Sequence, residues 1–138
     1  MIGITIITHR KLGDALIDAA GFILGYEPEA VTSVSIDINE KVDALRSEIA
    51  KSIKKVNRNK GVLILTDMFG GTPSNLSYSF LEEGKVEVIS GVNLPVLIKA
   101  VGSREKMGLS ELAAHLETYG KKSISAASGI LKGNKKNK

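Results

Sequence analysis

His9 and Asp67 are the two residues of this chain best placed to do chemistry. His9 directly follows the β-branched run Ile2 to Thr8 (IGITIIT), and Asp67 closes the apolar run GVLILTD. A neutral imidazole is a good nucleophile near pH 7, and a carboxylate on one ring nitrogen fixes the tautomer so that the other nitrogen can attack. Just beyond Asp67 comes Gly70-Gly71-Thr72-Pro73-Ser74-Asn75. Two glycines let the backbone approach a ligand closely, and the helix start after them offers free N–H groups and a positive dipole end. A nucleophile, its partner and an anion nest are what a transferable phosphoryl group needs. Each also has a plain explanation: a histidine after a strand is usually a surface or capping residue, a strand-end aspartate caps a turn, and a Gly-Gly-Thr-Pro run starts a helix. His115, in LAAHLE, has no comparable setting and reads as structural.

What lifts the pair above the plain reading is the order of the elements that position it. After the first strand, Leu12, Leu16, Ala19, Ala20, Ile23 and Leu24 recur at helical spacing and stop at Gly25, a C-cap. Val31 to Asp37 alternates as a second strand, and Asn39 is the expected cap of a helix striped by Val42, Leu45, Ile49, Ile53 and Val56. The third strand ends at Asp67, and a helix with Thr72 as N-cap and Pro73 at N1 is expected to run to about Glu83. Val86 to Ser90 is a fourth strand, GVNLP (91–95) leads into a short helix, and Ser110 to Tyr119 is another. Ser123 to Ser128 is the candidate for one last strand.

Alternating strands and helices predict an α/β three-layer sandwich, flavodoxin-like, with a mainly parallel sheet of order 2-1-3-4 and an extra C-terminal strand. Ligands bind such sheets beyond the carboxyl ends of the strands, where the winding reverses. Here that crevice lies between strands 1 and 3, where Thr8-His9 and Thr66-Asp67 emerge on neighbours about 4.8 Å apart.

Composition excludes other classes. The chain has 138 residues, 43% hydrophobic and 25% charged, as in a soluble globular domain. It has no cysteine, so disulfides and thiolate metal sites are out. Arg10 and Lys11 follow the apolar N-terminus rather than precede it, unlike a signal peptide, so a cytoplasmic protein is expected. The net charge of +4 equals the contribution of Lys132, Lys135, Lys136 and Lys138, so the body is neutral. With aromatics at 4%, nucleic-acid binding is not expected. The domain is expected over 1–128, with 129–138 a basic disordered tail.

Thr8-His9, TDMFGGTPSN (66–75) and SGVNLP (90–95) together resemble the mannose/fructose/sorbose-type enzyme IIA domains of the sugar phosphotransferase system, over roughly residues 1 to 128. The resemblance implies a phosphocarrier: His9 takes a phosphoryl group from the phosphohistidine of HPr and passes it to a histidine of a separate enzyme IIB. It implies that Asp67 holds the imidazole; the candidate phosphoryl-binding set is Thr8, Arg10, Gly70, Gly71, Thr72, Ser74 and Asn93. No metal or cofactor is expected, since both phosphohistidines are of similar energy. Membrane contact is expected only through a permease, and a homodimer made by exchange of residues 123–128. Many family members carry glycine where Arg10 stands. The same site would serve a regulatory sensor of sugar supply, or a phosphoryl donor to dihydroxyacetone kinase. A response-regulator receiver lacks its acidic cluster after strand 1, and a serine hydrolase lacks its G-x-S-x-G elbow.

Overall fold

In the computed structural model, which describes residues 1–136 and side chains through 133, β1 (Gly3–His9) is the inner strand on which the others are built. It pairs in parallel with β2 (Val31–Ile36) on one side and β3 (Val62–Thr66) on the other, and β3 pairs in parallel with β4 (Val86–Ser90). The order is therefore β2-β1-β3-β4, as expected. All four carboxyl ends lie along one edge. Ile7 sits opposite Thr66, so His9 and Asp67 both emerge past the end of the β1–β3 ladder.

The period-2 alternation of the strands divides the core between two faces. Ile4, Ile6, Leu63 and Leu65 join Ala20, Leu97, Ala100 and Leu112 on one face. These come from α1 (Leu12–Leu24), α4 (Leu94–Ser103) and α5 (Leu109–Lys122). Ile7, Ile64, Val34 and Ile36 meet Leu45 and Ile49 of α2 (Val42–Val56) and Leu76 of α3 (Thr72–Tyr78) on the other. Helix, sheet and helix make the three layers. No helix among the described residues is long and apolar enough to cross a membrane.

Gly25 caps α1 in the left-handed conformation (φ 81°), its N–H reaching the Gly21 carbonyl, as expected. Four expectations are corrected. Asn39 does not cap α2: its N–H donates to Asp37 Oδ1 (2.9 Å), and this Asx turn delays the helix until Lys41 is the N-cap. The cap of α3 is Gly71 rather than Thr72. That helix stops at Tyr78, because Ser77 and Ser79 donate side-chain hydrogen bonds back to the Pro73 and Leu76 carbonyls and the chain tightens into i→i+3 turns.

The fourth concerns the C-terminus. Residues 123–128, expected as a strand, form a bend and the start of α6 (Ala127–Lys136). The same helix takes in most of the expected disordered tail; residues 137–138 lie outside the described ones. Ile130 N–H bonds to the Ala126 carbonyl, and Ala127, Ile130 and Leu131 recur at helical spacing. Ser123–Ala126 adds nothing to the sheet, and Ile124, its one large apolar side chain, is exposed.

Candidate active site

The β1–α1 turn presents His9, and Thr8 builds that turn from within. The Thr8 hydroxyl accepts from Gly13 N–H (3.0 Å) and donates to the Arg10 carbonyl (3.3 Å). Thr8 is fully buried, so it supports the turn and does not face a phosphoryl group. Arg10 is exposed and adopts φ 50°, the left-handed region. That conformation costs a side-chain-bearing residue about 1–2 kcal/mol. Glycine is free of the cost, which is the physical sense of a glycine after the histidine.

The β3–α3 loop presents Asp67. Its Oδ2 lies 2.8 Å from His9 Nδ1 and also accepts the His9 backbone N–H (2.9 Å). Its Oδ1 accepts Met68 N–H (3.0 Å). Partial burial pushes the Asp67 carboxyl up, but the hydrogen bonds from His9 backbone and ring, the imidazole's charge and Asp67's own N–H outweigh it. The carboxyl is therefore held below its ordinary value and stays ionised. The His9 side chain is 39% exposed against 11% for Asp67. The ring is thus anchored from below and open above.

Gly71 walls the ring. A Cβ there would lie 2.8 Å from His9 Cε1 and 3.3 Å from Nε2, so any side chain at this position collides with the imidazole. Gly70 takes φ 92° to turn the loop, and Thr72, half-buried, is the first residue of α3.

The remaining members of the expected set are not assembled at the ring. Ser74 is fully buried, donating to the Met68 carbonyl and lying 2.6 Å from Thr66 Oγ1. Asn93 is the N-cap of α4: Oδ1 accepts Val96 N–H (2.9 Å) and Nδ2 donates to Ser123 Oγ (2.9 Å). Both hydrogen-bonding groups are satisfied within the fold. His115 belongs to α5, far from this constellation in role: its Nε2 is buried with no hydrogen-bond partner among the described residues.

Two contributors carry no sequence signal. The backbone N–H groups of His9 and Met68 aim the Asp67 carboxylate, and any residue type supplies an N–H.

The family model of the PTS system fructose IIA component matches residues 3–117. The chain belongs to this EIIA family. It is accordingly a phosphocarrier component of sugar phosphotransfer. This EIIA chain is 31% identical over 129 residues to the PTS system fructose-specific EIIA component of Bacillus subtilis (strain 168), covering 93% of this chain and 88% of that protein. It is 32% identical over 127 residues to the PTS system mannose-specific EIIAB component of Escherichia coli (strain K12). That match takes in 91% of this chain and 39% of the longer relative. Among solved structures, phosphotransferase system component EIIA from Streptococcus agalactiae superposes with a TM-score of 0.83 at 28% identity, covering 94% of this chain and 99% of that one.

Proposed function

We propose that this EIIA chain carries its phosphoryl group on His9 Nε2, taking it from the phosphohistidine of HPr and passing it to a histidine of enzyme IIB. One observation carries the assignment: Asp67 Oδ2 lies 2.8 Å from Nδ1. An ionised carboxylate only accepts hydrogen bonds, so the ring proton sits on Nδ1 and the lone pair on Nε2, the nitrogen beside Gly71. That lone pair forms the new P–N bond while the donor's P–N bond breaks, and the donor imidazole leaves with the electron pair. The His9 proton stays on Nδ1, and Asp67 balances the imidazolium charge that develops.

Gly70, Gly71 and Thr72 border the phosphoryl group, with Arg10 as the nearest cation in sequence. Fixed alignment and charge compensation are most of what phosphoryl transfer requires. The chain acts in the cytoplasm, as a homodimer, and meets the membrane only through a permease.

Incubation with enzyme I, HPr and phosphoenolpyruvate should add one acid-labile phosphoryl group per chain, and His9→Ala should abolish it. Undiminished labelling of that variant would move the site elsewhere.

A further inference from the structure

Behind the loop that bears Asp67 runs a chain of hydroxyls. Tyr78 Oη lies 2.9 Å from Ser90 Oγ, which accepts from Thr66 Oγ1 at 3.0 Å. Thr66 Oγ1 is 2.6 Å from Ser74 Oγ, and Ser74 donates to the Met68 carbonyl. Thr66 and Ser74 are fully buried, and Ser90 and Tyr78 partly so. Proton counting fixes the end of the chain at Met68. A carbonyl only accepts, so the single Ser74 proton is committed to Met68. Thr66 likewise carries a single proton, which goes to Ser74 or to Ser90 but not to both at once, and the Ser90–Tyr78 pair completes the set.

Met68 is where this chain meets the site. Its carbonyl is gripped by Ser74 and its N–H fixes Asp67 Oδ1, which leaves Oδ2 for His9. The same loop continues to Gly71, the wall against the imidazole. Loops are ordinarily the mobile part of a fold, and this one is tied from beneath at its second residue.

We infer that Ser74, backed by Thr66, Ser90 and Tyr78, is a positioning residue for phosphoryl transfer. It holds Met68 so that Asp67 fixes the Nδ1–H tautomer of His9. Its hydroxyl touches neither the imidazole nor the phosphoryl group. The inference rests on His9 as the carrier, but its main readout does not.

The test combines ¹⁵N-histidine NMR, which reads the His9 tautomer without any donor, with transfer kinetics from phospho-HPr. Ser74→Ala should keep the wild-type far-UV circular dichroism while His9 shifts from the Nδ1–H form towards a mixture of tautomers. The transfer rate at saturating donor should fall about tenfold or more, with the half-saturating donor concentration unchanged. Ser90→Ala, which leaves the Ser74–Met68 bond in place, should move both readouts the same way by less. A folded Ser74→Ala with wild-type tautomer and rate would overturn the inference, as would a lowered melting temperature with both readouts unchanged. Should Ser74→Ala not fold, wild-type behaviour of Ser90→Ala would overturn it instead. Failure of HPr to label the wild type would sink the His9 assignment and leave the tautomer to judge Ser74.

Discussion

The Asp67 carboxylate accepts hydrogen bonds from three groups at once, the His9 ring, the His9 backbone and Met68 N–H. Asp67→Asn keeps the volume and loses the charge, and its amide presents N–H to a ring nitrogen that should carry the proton. We expect the variant to fold and its phosphoryl transfer to slow by roughly 10²–10⁴-fold, measured by rapid quench with phospho-HPr. Stability should report the same group. The folded pKa of Asp67 is depressed below the ordinary 3.8, so its stabilisation is fully present above that value. It is lost as the pH falls through the lower folded value. Urea midpoints of wild type and Asp67→Asn should therefore differ at pH 7 and converge as the pH drops below the ordinary carboxyl range. Midpoints that differ equally at both ends would show that the carboxylate's charge is not what stabilises the loop.

At the scale of the element, the two strand-to-helix turns that carry the site are built by buried hydroxyls. Thr8 closes the β1–α1 turn through Gly13 and Arg10, and Ser74 closes the β3–α3 loop through Met68. Gly13 is itself buried, and a Cβ there would come within 3.3 Å of the Ile6 carbonyl, so α1 lies tightly on β1. Thr8→Val preserves shape and strips the acceptor from Gly13 N–H. Leaving such a buried donor unsatisfied costs about 1–3 kcal/mol, which chemical denaturation should detect. Labelling of His9 by the HPr system should persist in this variant. Loss of labelling with unchanged stability would return Thr8 to the phosphoryl-binding set.

At the scale of the whole molecule, the β4 edge of the sheet is open. β4 pairs with β3 alone in long register, and a groove lined by Phe69, Tyr78, Ile89, Ser90, Leu116 and Ile124 runs beside it. Open strand edges are liabilities that proteins cover. In the proposed homodimer, residues 123–128 of each copy give up the bend and the first turn of α6 to pair with the other's β4. A short segment with one large apolar residue gains an ordered strand only when a partner's edge completes its hydrogen bonds. Sedimentation equilibrium should give a dimer for the full chain, and loss of dimerisation or of fold for a version cut after Gly120. A monomer at micromolar concentration would refute the exchange.

Much of this protein was legible in its residues. Short apolar runs, one alternating strand and period-3.6 stripes pointed to four strands and their helices, and right-handed crossovers made 2-1-3-4 the natural order for them. Parallel strands share an exit edge, so His9 and Asp67 had to meet once that order held. The tertiary structure decided which neighbours of the pair face outward. Thr8, Ser74 and Asn93 look like ligand-binding polar residues in the sequence, yet each is turned inward to satisfy backbone groups of a buried turn, loop or cap. The backbone donors to Asp67 carry no residue signature. The end of α3 and the course of residues 123–136 were likewise outside the reach of the pattern. At α3 local serine hydrogen bonds to the Pro73 and Leu76 carbonyls end the helix, and over 123–136 a weakly apolar, exposed segment forms a bend and a helix that no hydropathy pattern separates from a strand.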